Sequence, residues 1–218
     1  SDRLFYSDPD YSGMFKTLQT ALKLEPYNMD AYYFIQAVFP WEGMVDEANA
    51  WLDYGMRHRT WDFYLPFFAS FNAAHFQKDY GTAAIYMQRA AELSGSESFA
   101  RLSSRYLHEA GRTEFAVTYL NAMIEGARDP NEKALYEVRR DALLAIMHLQ
   151  QAADLYRHKH GKPPGEISQL LEEGLLESLP LDPYGGAFYV DSQGRVQSTS
   201  KLAFGSVREN DTPESGEK

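Results

Sequence analysis

A pattern of alanines recurs along the first part of the chain and restricts what it can fold into. Ala48, Ala83 and Ala116 follow one another at spacings of 35 and 33 residues. A large apolar residue stands four positions after each alanine; these residues are Leu52, Met87 and Leu120. Alanine at a helix crossing lets two helices approach closely, and a residue four positions later lies on the same stripe. The pattern therefore predicts three stacked units, each with its alanine at the start of the second helix of a pair.

This repeat resembles that of the tetratricopeptide family, whose period is 34 residues. Gly111 falls in the turn between two helices of a unit, and Pro26 falls at the family's terminal proline position. The apolar stretch before Pro26, residues 14–24, is then the second helix of a leading half-repeat. The resemblance implies a mostly α fold, a tetratricopeptide-like α–α superhelix in which helical hairpins form a right-handed solenoid over residues 9–128. Amphipathic helices in a closed bundle are the alternative, because they share Ala and Leu at these offsets.

The chain departs from the family pattern at several positions. Pro40 lies inside the expected first helix of repeat one, where it must end or kink the helix. The second unit carries one extra residue before Asp79. Gln36, Ser70 and Ser104 replace the glycine that the family uses where the first helix approaches its neighbour most closely. We expect these departures to move helix ends without changing the architecture.

The repeat stops at about residue 130, and residues 131–205 are predicted to form a separate cap. Apolar periodicity predicts one long helix over Glu132–Arg157, which Gly161 and the prolines after it end. A short helix over Glu166–Glu173 and a small β-hairpin around Gly194 follow. The last residues, 206–218, are polar and are expected to pack little.

The cap resembles the soluble head of a type II secretion pseudopilin. The resemblance lies in the long helix, a Gly-Leu-Leu turn at Gly174, and the sequence Leu-Pro-Leu-Asp-Pro-Tyr-Gly-Gly over residues 179–186 before the short sheet. It implies a structural module without an activity. The calcium loop of some pseudopilins does not carry over, because no acidic cluster follows the hairpin.

Repeats followed by such a cap are also similar to uncharacterised bacterial proteins that have a membrane anchor before the repeats. This similarity implies a periplasmic or membrane-tethered role. The sequence begins with Ser1 rather than Met. We therefore interpret it as a piece of a longer protein, in which a signal peptide or anchor would come before the repeats.

Composition and motifs argue against several classes of function. The net charge of −10 argues against a nucleic-acid surface and against docking on anionic lipid. The absence of cysteine excludes disulfides and thiolate metal sites, and no apolar run reaches the length of a membrane span. None of the six histidines has a recognised ligand spacing, and no nucleophile elbow, P-loop or dinucleotide fingerprint occurs. We predict no catalytic residue, no metal ligand and no cofactor.

In the tetratricopeptide family the first helices of the pairs line a concave face that holds ligands. Transferring the family's groove positions to this sequence gives Tyr33, Phe67, Phe71, His75, Arg101, Arg105 and His108. The predicted groove is aromatic at one end and cationic at the other. Such a groove favours a peptide with an apolar anchor and an acidic or C-terminal carboxylate end.

Other interpretations of these residues stay open. Phe67 and Phe71 could be core residues between helices, and Arg101 could pair with a nearby glutamate. The C-terminal segment could itself fill the groove. The carboxylate clamp of the chaperone-binding family members does not carry over, because Tyr33 and Ala37 stand where its Lys and Asn would be.

Three hypotheses for the function follow. The first is a protein-interaction scaffold or adaptor, in a bacterial membrane-associated secretion or surface-assembly system. The second is a structural unit that assembles into oligomers. The third is a hydrolase or metal-binding enzyme.

Overall fold

The three alanines of the repeat are all inaccessible to solvent. A computed structural model of the chain describes residues 10–202. Ala48, Ala83 and Ala116 have no exposed surface in it. The large apolar residues four positions later, Leu52, Met87 and Leu120, are buried as well. The predicted burial of this stripe is therefore confirmed at all three occurrences.

The described chain is mostly helical, with 69% of its residues in helices and a two-stranded sheet near its end. Unit 1, up to Gly111, contains α1 (Tyr11–Leu24), α2 (Met29–Val38), α3 (Val45–His58), α4 (Tyr64–Asn72), α5 (Tyr80–Ser94) and α6 (Glu97–Glu109). Unit 2, from Arg112, contains α7 (Thr113–Gly126), α8 (Pro130–His160), α9 (Gln169–Glu172), β1 (Phe188–Val190) and β2 (Val196–Ser198). The mostly helical fold with a small β-hairpin is thus confirmed.

The chain divides into these two compact units after Gly111. The boundary predicted between the repeats (9–128) and the cap (131–205) stays a prediction. Residue 9, residues 203–205 and the tail at 206–218 lie outside the described part of the chain.

Small and polar side chains fill the spaces between the helices of unit 1. Each helix from α1 to α5 packs against the next helix along the chain. The hydroxyl of Ser70 on α4 donates to the carbonyl oxygen of Ala83 on α5, 2.7 Å away. The hydroxyl of Ser103 on α6 donates to the carbonyl oxygen of Ala84, also on α5, 3.1 Å away. Serine hydroxyls therefore hold α5 from both sides.

Pro40 ends α2, as its position in the sequence predicts. α2 stops at Val38, and residues Phe39–Glu42 form one 3₁₀ turn that Gly43 closes in the left-handed region. Proline is tolerated in the first turn of a helix, because the amide it lacks would have no partner there. The change of helix type brings Trp41 to the surface.

The second predicted repeat, which lies in unit 1, carries one extra residue before Asp79, and a π-helical turn accommodates it. α4 continues into a π-helix over Ala73–Gln77, and the backbone amide of Lys78 donates to the carbonyl oxygen of Ala73. A π-helical turn has one residue more than an α-helical turn. Lys78 then takes a left-handed conformation with φ of 57°, and α5 begins two residues later. The added residue thus lengthens the turn and leaves Ala83 at its buried position.

In unit 2 the long helix α8 packs against α7 and carries the hairpin. The strands pair antiparallel with Tyr189 opposite Gln197. The side-chain amide of Gln150 on α8 donates to the carbonyl oxygen of Gly194, and its oxygen accepts the amide of Val196 at 2.8 Å. The hairpin is therefore fixed to α8 by hydrogen bonds. No helix of the described residues is long and apolar enough to cross a membrane.

The close approach of three helices at Gly55 generates a first prediction. A Cβ atom at Gly55 would lie 2.8 Å from ring carbons of Tyr32 on α2 and 2.9 Å from a methyl carbon of Leu65 on α4. We expect Gly55→Ala to lower the free energy of unfolding by about 1–2 kcal/mol, because overpacking outweighs the gain in helix propensity. Urea denaturation measures the change.

Gly81→Ala is the matched control. Gly81 lies in the first turn of α5, and its Cβ would meet only the Asp79 carboxylate, at 3.4 Å. This variant should keep or slightly raise the stability of the wild type. Equal losses in the two variants would contradict the close packing of α3 between α2 and α4.

The buried Tyr32 generates a second prediction. Burial raises the pKa of its hydroxyl to about 12, and the nearby Tyr54 adds to the shift. In the unfolded chain tyrosine ionises near pH 10, so between about pH 10 and pH 12 the unfolded state binds fewer protons than the folded state. Stability therefore falls as the pH rises through this range. We expect the melting temperature of Tyr32→Phe to fall less steeply over the same range.

Tyr33→Phe is the control for this measurement, because Tyr33 is exposed on the same helix. Its melting temperature should follow the wild type at every pH. If all three proteins lose stability in parallel, Tyr32 does not contribute to the alkaline transition.

Candidate functional site

The seven residues predicted to face a partner all lie in unit 1, on the helices to which the repeat assigns them. Tyr33 is on α2, Phe67 and Phe71 are on α4, His75 is in the π-helical turn, and Arg101, Arg105 and His108 are on α6. Their surroundings differ, and they fall into three groups.

Tyr33 forms the first group, with rings of α4. Its side chain is 62% exposed, and its ring lies edge-on to Phe68 with centroids 6.1 Å apart. Phe68 in turn lies 6.2 Å from the exposed ring of Tyr64, one turn earlier on α4. Aromatic pairs at these distances attract each other beyond the area that they bury. The rings of α2 and α4 therefore form a joint, accessible surface.

Phe67 continues this surface towards α6. Its ring stacks on Phe99 with centroids 5.2 Å apart and an angle of 22° between the planes. Phe67 is half-buried. It therefore belongs in part to the packing between α4 and α6, one of the alternatives left open by the sequence, and still presents an edge to solvent.

Phe71 and His75 form the second group at the π-helical turn. Their rings are nearly parallel, at 8°, with centroids 5.1 Å apart. Trp41, in the 3₁₀ turn after α2, has an exposed ring whose centroid lies 5.5 Å from that of His75. π-helical turns occur often at functional sites, because the extra residue redirects side chains. Here the turn places the exposed imidazole of His75 next to the half-buried ring of Phe71 and the exposed ring of Trp41.

The rings of both groups are regarded as one feature of unit 1. We call it the aromatic surface, and it consists of Tyr33, Trp41, Tyr64, Phe67, Phe71 and His75. The members on α4 lie on one stripe because they are three or four residues apart.

A chain of hydrogen-bonded amides joins α2 and α4, which carry most of the aromatic surface, to α3. Gln36 and Asn72 exchange two hydrogen bonds. The Nε2 of Gln36 donates to the Oδ1 of Asn72 at 2.9 Å, and the Nδ2 of Asn72 donates to the Oε1 of Gln36 at 2.8 Å. Asn72 also donates to the side-chain oxygen of Asn49 on α3, 2.8 Å away. Gln36, for which the resemblance predicted a close approach to the neighbouring helix, is held in this polar pair with Asn72. Satisfied buried amides of this kind fix the register of the helices that they join.

The predicted cationic end is less accessible than the aromatic end. Arg101 is only 8% exposed and belongs to the interior. Arg105 is partly exposed, and its guanidinium lies 3.6 Å from the carboxylate of Glu109. His108 is half-buried. The sequence left open that Arg101 pairs with a glutamate, and the structure shows such a pair at Arg105. Arg105 is also the more accessible of the two arginines.

Sequence reasoning missed four rings of this site: Trp41, Tyr64, Phe99, and Phe68, which links Tyr33 to Tyr64. Tyr64 could have been found, because it precedes Phe67 by one helical turn. Trp41 could not, because its position depends on the 3₁₀ turn that Pro40 starts. Phe99 was hidden in the first turn of α6, before the residues that match the family positions.

Within residues 10–202 no three His, Asp or Glu side chains are grouped as the ligands of a metal ion would be. The amides of Gln36, Asn72 and Asn49 are bonded to one another, and the Arg105–Glu109 ion pair on α6 is partly exposed. The arrangement offers rings for an apolar side chain and one arginine for a carboxylate.

Comparison with known proteins gives no further guide to this site. No protein-family model matches the sequence, and no curated protein matches it.

Proposed function

We propose that this protein is a helical-repeat scaffold that binds a segment of a partner protein on the aromatic surface of unit 1. Four of these rings, Tyr33, Trp41, Tyr64 and His75, are exposed, and this exposure is the observation that carries the proposal. The core of unit 1 is filled by other residues, among them Tyr32, Phe39 and Leu52, so the exposed rings are not needed to complete it. Clustered exposed rings of this kind are typical of protein-interaction sites.

The proposed architecture is a tetratricopeptide-like superhelix of helical hairpins. The burial of Ala48, Ala83 and Ala116, each with a buried apolar residue four positions later, supports it. The successive packing of α1 to α6 also supports it, because the repeats of a solenoid contact mainly their neighbours. On this architecture α2, α4 and α6 are first helices, and their rings belong to the ligand-binding face.

The partner segment carries an apolar or aromatic anchor beside an acidic residue or a C-terminal carboxylate. The anchor packs against the aromatic surface, where aromatic side chains commonly dominate the energy of binding. The carboxylate exchanges places with Glu109 at the guanidinium of Arg105. A charge-assisted hydrogen bond to arginine is stronger than one between neutral groups, and this fixes the direction of the segment.

The resemblance of the cap to a pseudopilin head supports a setting for this binding. We place the scaffold in a bacterial membrane-associated system for secretion or surface assembly. The rival function, a structural unit that assembles with copies of itself, would cover the same rings with a second copy. The experiment below separates the two.

The third prediction tests the aromatic surface. Peptides selected from a random phage-displayed library against the whole chain should carry an aromatic or aliphatic anchor next to an acidic residue. In fluorescence anisotropy with such a peptide, the double variant Trp41→Ala/Tyr64→Ala should bind more weakly by about 2 kcal/mol, roughly thirtyfold in Kd. Removing two exposed rings should leave the melting temperature nearly unchanged.

Ile85→Ala is the matched control, because Ile85 is an exposed apolar residue of α5 outside the aromatic surface. It should bind the peptide like the wild type. Selected peptides that bind the double variant equally well would refute the proposed site. Sedimentation showing dimers in the wild type and monomers in the double variant would favour self-assembly instead.

The fourth prediction tests the polar end of the site with two opposite changes. Arg105→Glu should weaken binding of the same peptide about tenfold, by removing the cation that pairs with its carboxylate. Glu109→Gln should strengthen binding, because it removes the carboxylate that competes for Arg105. If both variants change affinity in the same direction, Arg105 does not contact the acidic residue of the peptide.

A further inference from the structure

A second group of exposed rings lies outside the aromatic surface, on the loops of unit 1. Tyr27, between α1 and α2, and Trp61, between α3 and α4, have rings only 10° from parallel, with centroids 6.2 Å apart. The two side chains are 51% and 61% exposed. Because they come from different loops, something must hold them in this arrangement.

Arg59 holds the two loops together. Its Nε and one terminal nitrogen bind the carboxylate of Asp62 at 2.8 Å and 2.7 Å, and its other terminal nitrogen donates to the carbonyl oxygen of Tyr27 at 2.6 Å. The guanidinium also lies over the ring of Trp61, 5.6 Å from the centroid. Asp62 is buried and accepts the backbone amide of Tyr64. The two rings are therefore held in place before any ligand arrives.

The surface continues along the last turn of α3. Tyr27 lies edge-on to His58, with centroids 6.2 Å apart, and His58 lies 4.4 Å from Tyr54. The guanidinium of Arg57 lies over Tyr54, 5.8 Å from the centroid. We call this the Tyr27–Trp61 surface; it consists of Tyr27, Tyr54, Arg57, His58 and Trp61.

The charge of this surface depends on Arg57. Arg59 is neutralised by Asp62, whereas Arg57 is exposed and has no carboxylate within ion-pair distance among residues 10–202. The two parallel rings lie at one end of this series of ring contacts, and the accessible Arg57 lies at the other end, over Tyr54. Trp, Tyr and Arg are the residue types most enriched at the energetic centres of protein interfaces.

We propose that the Tyr27–Trp61 surface binds an acidic segment of a partner protein in which an aromatic side chain stands beside an Asp or Glu. The ring stacks on Trp61 and Tyr27, and the carboxylate pairs with Arg57. A single accessible arginine matches one carboxylate rather than a run of phosphates. The net charge of −10 also repels a nucleic acid, which binds through many cations at once.

This surface uses different residues from the aromatic surface and does not depend on the function proposed for it. The three tryptophans of the chain allow the two to be separated. Trp61 belongs to the Tyr27–Trp61 surface, and Trp41, which belongs to the aromatic surface, serves as the reference. The half-buried Trp51 contacts the ring of Tyr54, 5.1 Å away, and reports on the far end of the Tyr27–Trp61 surface.

The experiment follows the three indole N–H signals of the ¹⁵N-labelled chain by NMR. The probe is the capped tripeptide Glu-Phe-Asp. One control peptide, Lys-Phe-Lys, keeps the ring and reverses the charge, and the other, Glu-Ala-Asp, keeps the charge and lacks the ring. With Glu-Phe-Asp we expect a saturable shift of the Trp61 signal at millimolar concentrations, larger than the shift of Trp41. Both control peptides should bind several-fold more weakly.

Arg57→Gln should weaken binding of Glu-Phe-Asp about threefold, the effect of one partly screened charge pair. Lys23→Gln, which removes an exposed cation from α1, should not change it. The proposal is overturned if the Trp61 signal does not shift, or if Lys-Phe-Lys binds as well as Glu-Phe-Asp. A shift confined to Trp41, or tighter binding of oligothymidylate at the Trp61 signal, would also overturn it.

Discussion

The structure of unit 1 depends on how closely its helices approach one another. Ala48 and Ala83 have no exposed surface, and at Gly55 an added methyl group would meet a ring of α2 and a leucine of α4 at once. Only small side chains fit at these crossing points, and larger buried residues such as Tyr32 and Leu52 pack beside them. The chain is nevertheless rich in aromatic residues, at 14%. Many of these rings therefore lie at the edges and faces of the helices, where they make the surfaces from which we infer binding.

Close approach also explains the polar residues inside unit 1. A serine hydroxyl such as that of Ser70 is small enough to lie between helices and reaches a backbone carbonyl that approaches within hydrogen-bond distance. Gln36 is larger, and it is accommodated because Asn72 satisfies its amide from the facing helix. An unsatisfied buried amide would cost about 1–3 kcal/mol, so each of these residues restricts which partner can stand opposite it. Alanines set the distance between the helices, and these polar pairs set their register.

The sequence predicted the features that follow from local periodicity. The burial of the alanine stripe, the end of α2 before Pro40, the long helix α8 and the hairpin around Gly194 all depend on residues close together in the chain. The extra residue before Asp79 was visible in the sequence, but its structural consequence was not. One added residue can lengthen either a helical turn or the loop after it, and the spacing is the same in both cases. The burial of Arg101 depends on the packing around α6, which the spacing of Arg101 and Arg105 does not reveal. For the same reason the accessible arginines and rings could be located only in three dimensions.

The two candidate surfaces share one electrostatic feature. Each lies in a chain with a net charge of −10, and each is proposed to use one arginine together with exposed rings: Arg105 on α6 with the aromatic surface, and Arg57 within the Tyr27–Trp61 surface. A strongly acidic protein repels acidic partners at long range, so an acidic segment gains from binding only where it reaches such an arginine directly. The rings provide the apolar contact that offsets the repulsion, and the charge determines which apolar segments are accepted. Specificity would then come from the coincidence of an aromatic contact with one carboxylate, since neither alone distinguishes a partner from the many other apolar or acidic segments in a cell.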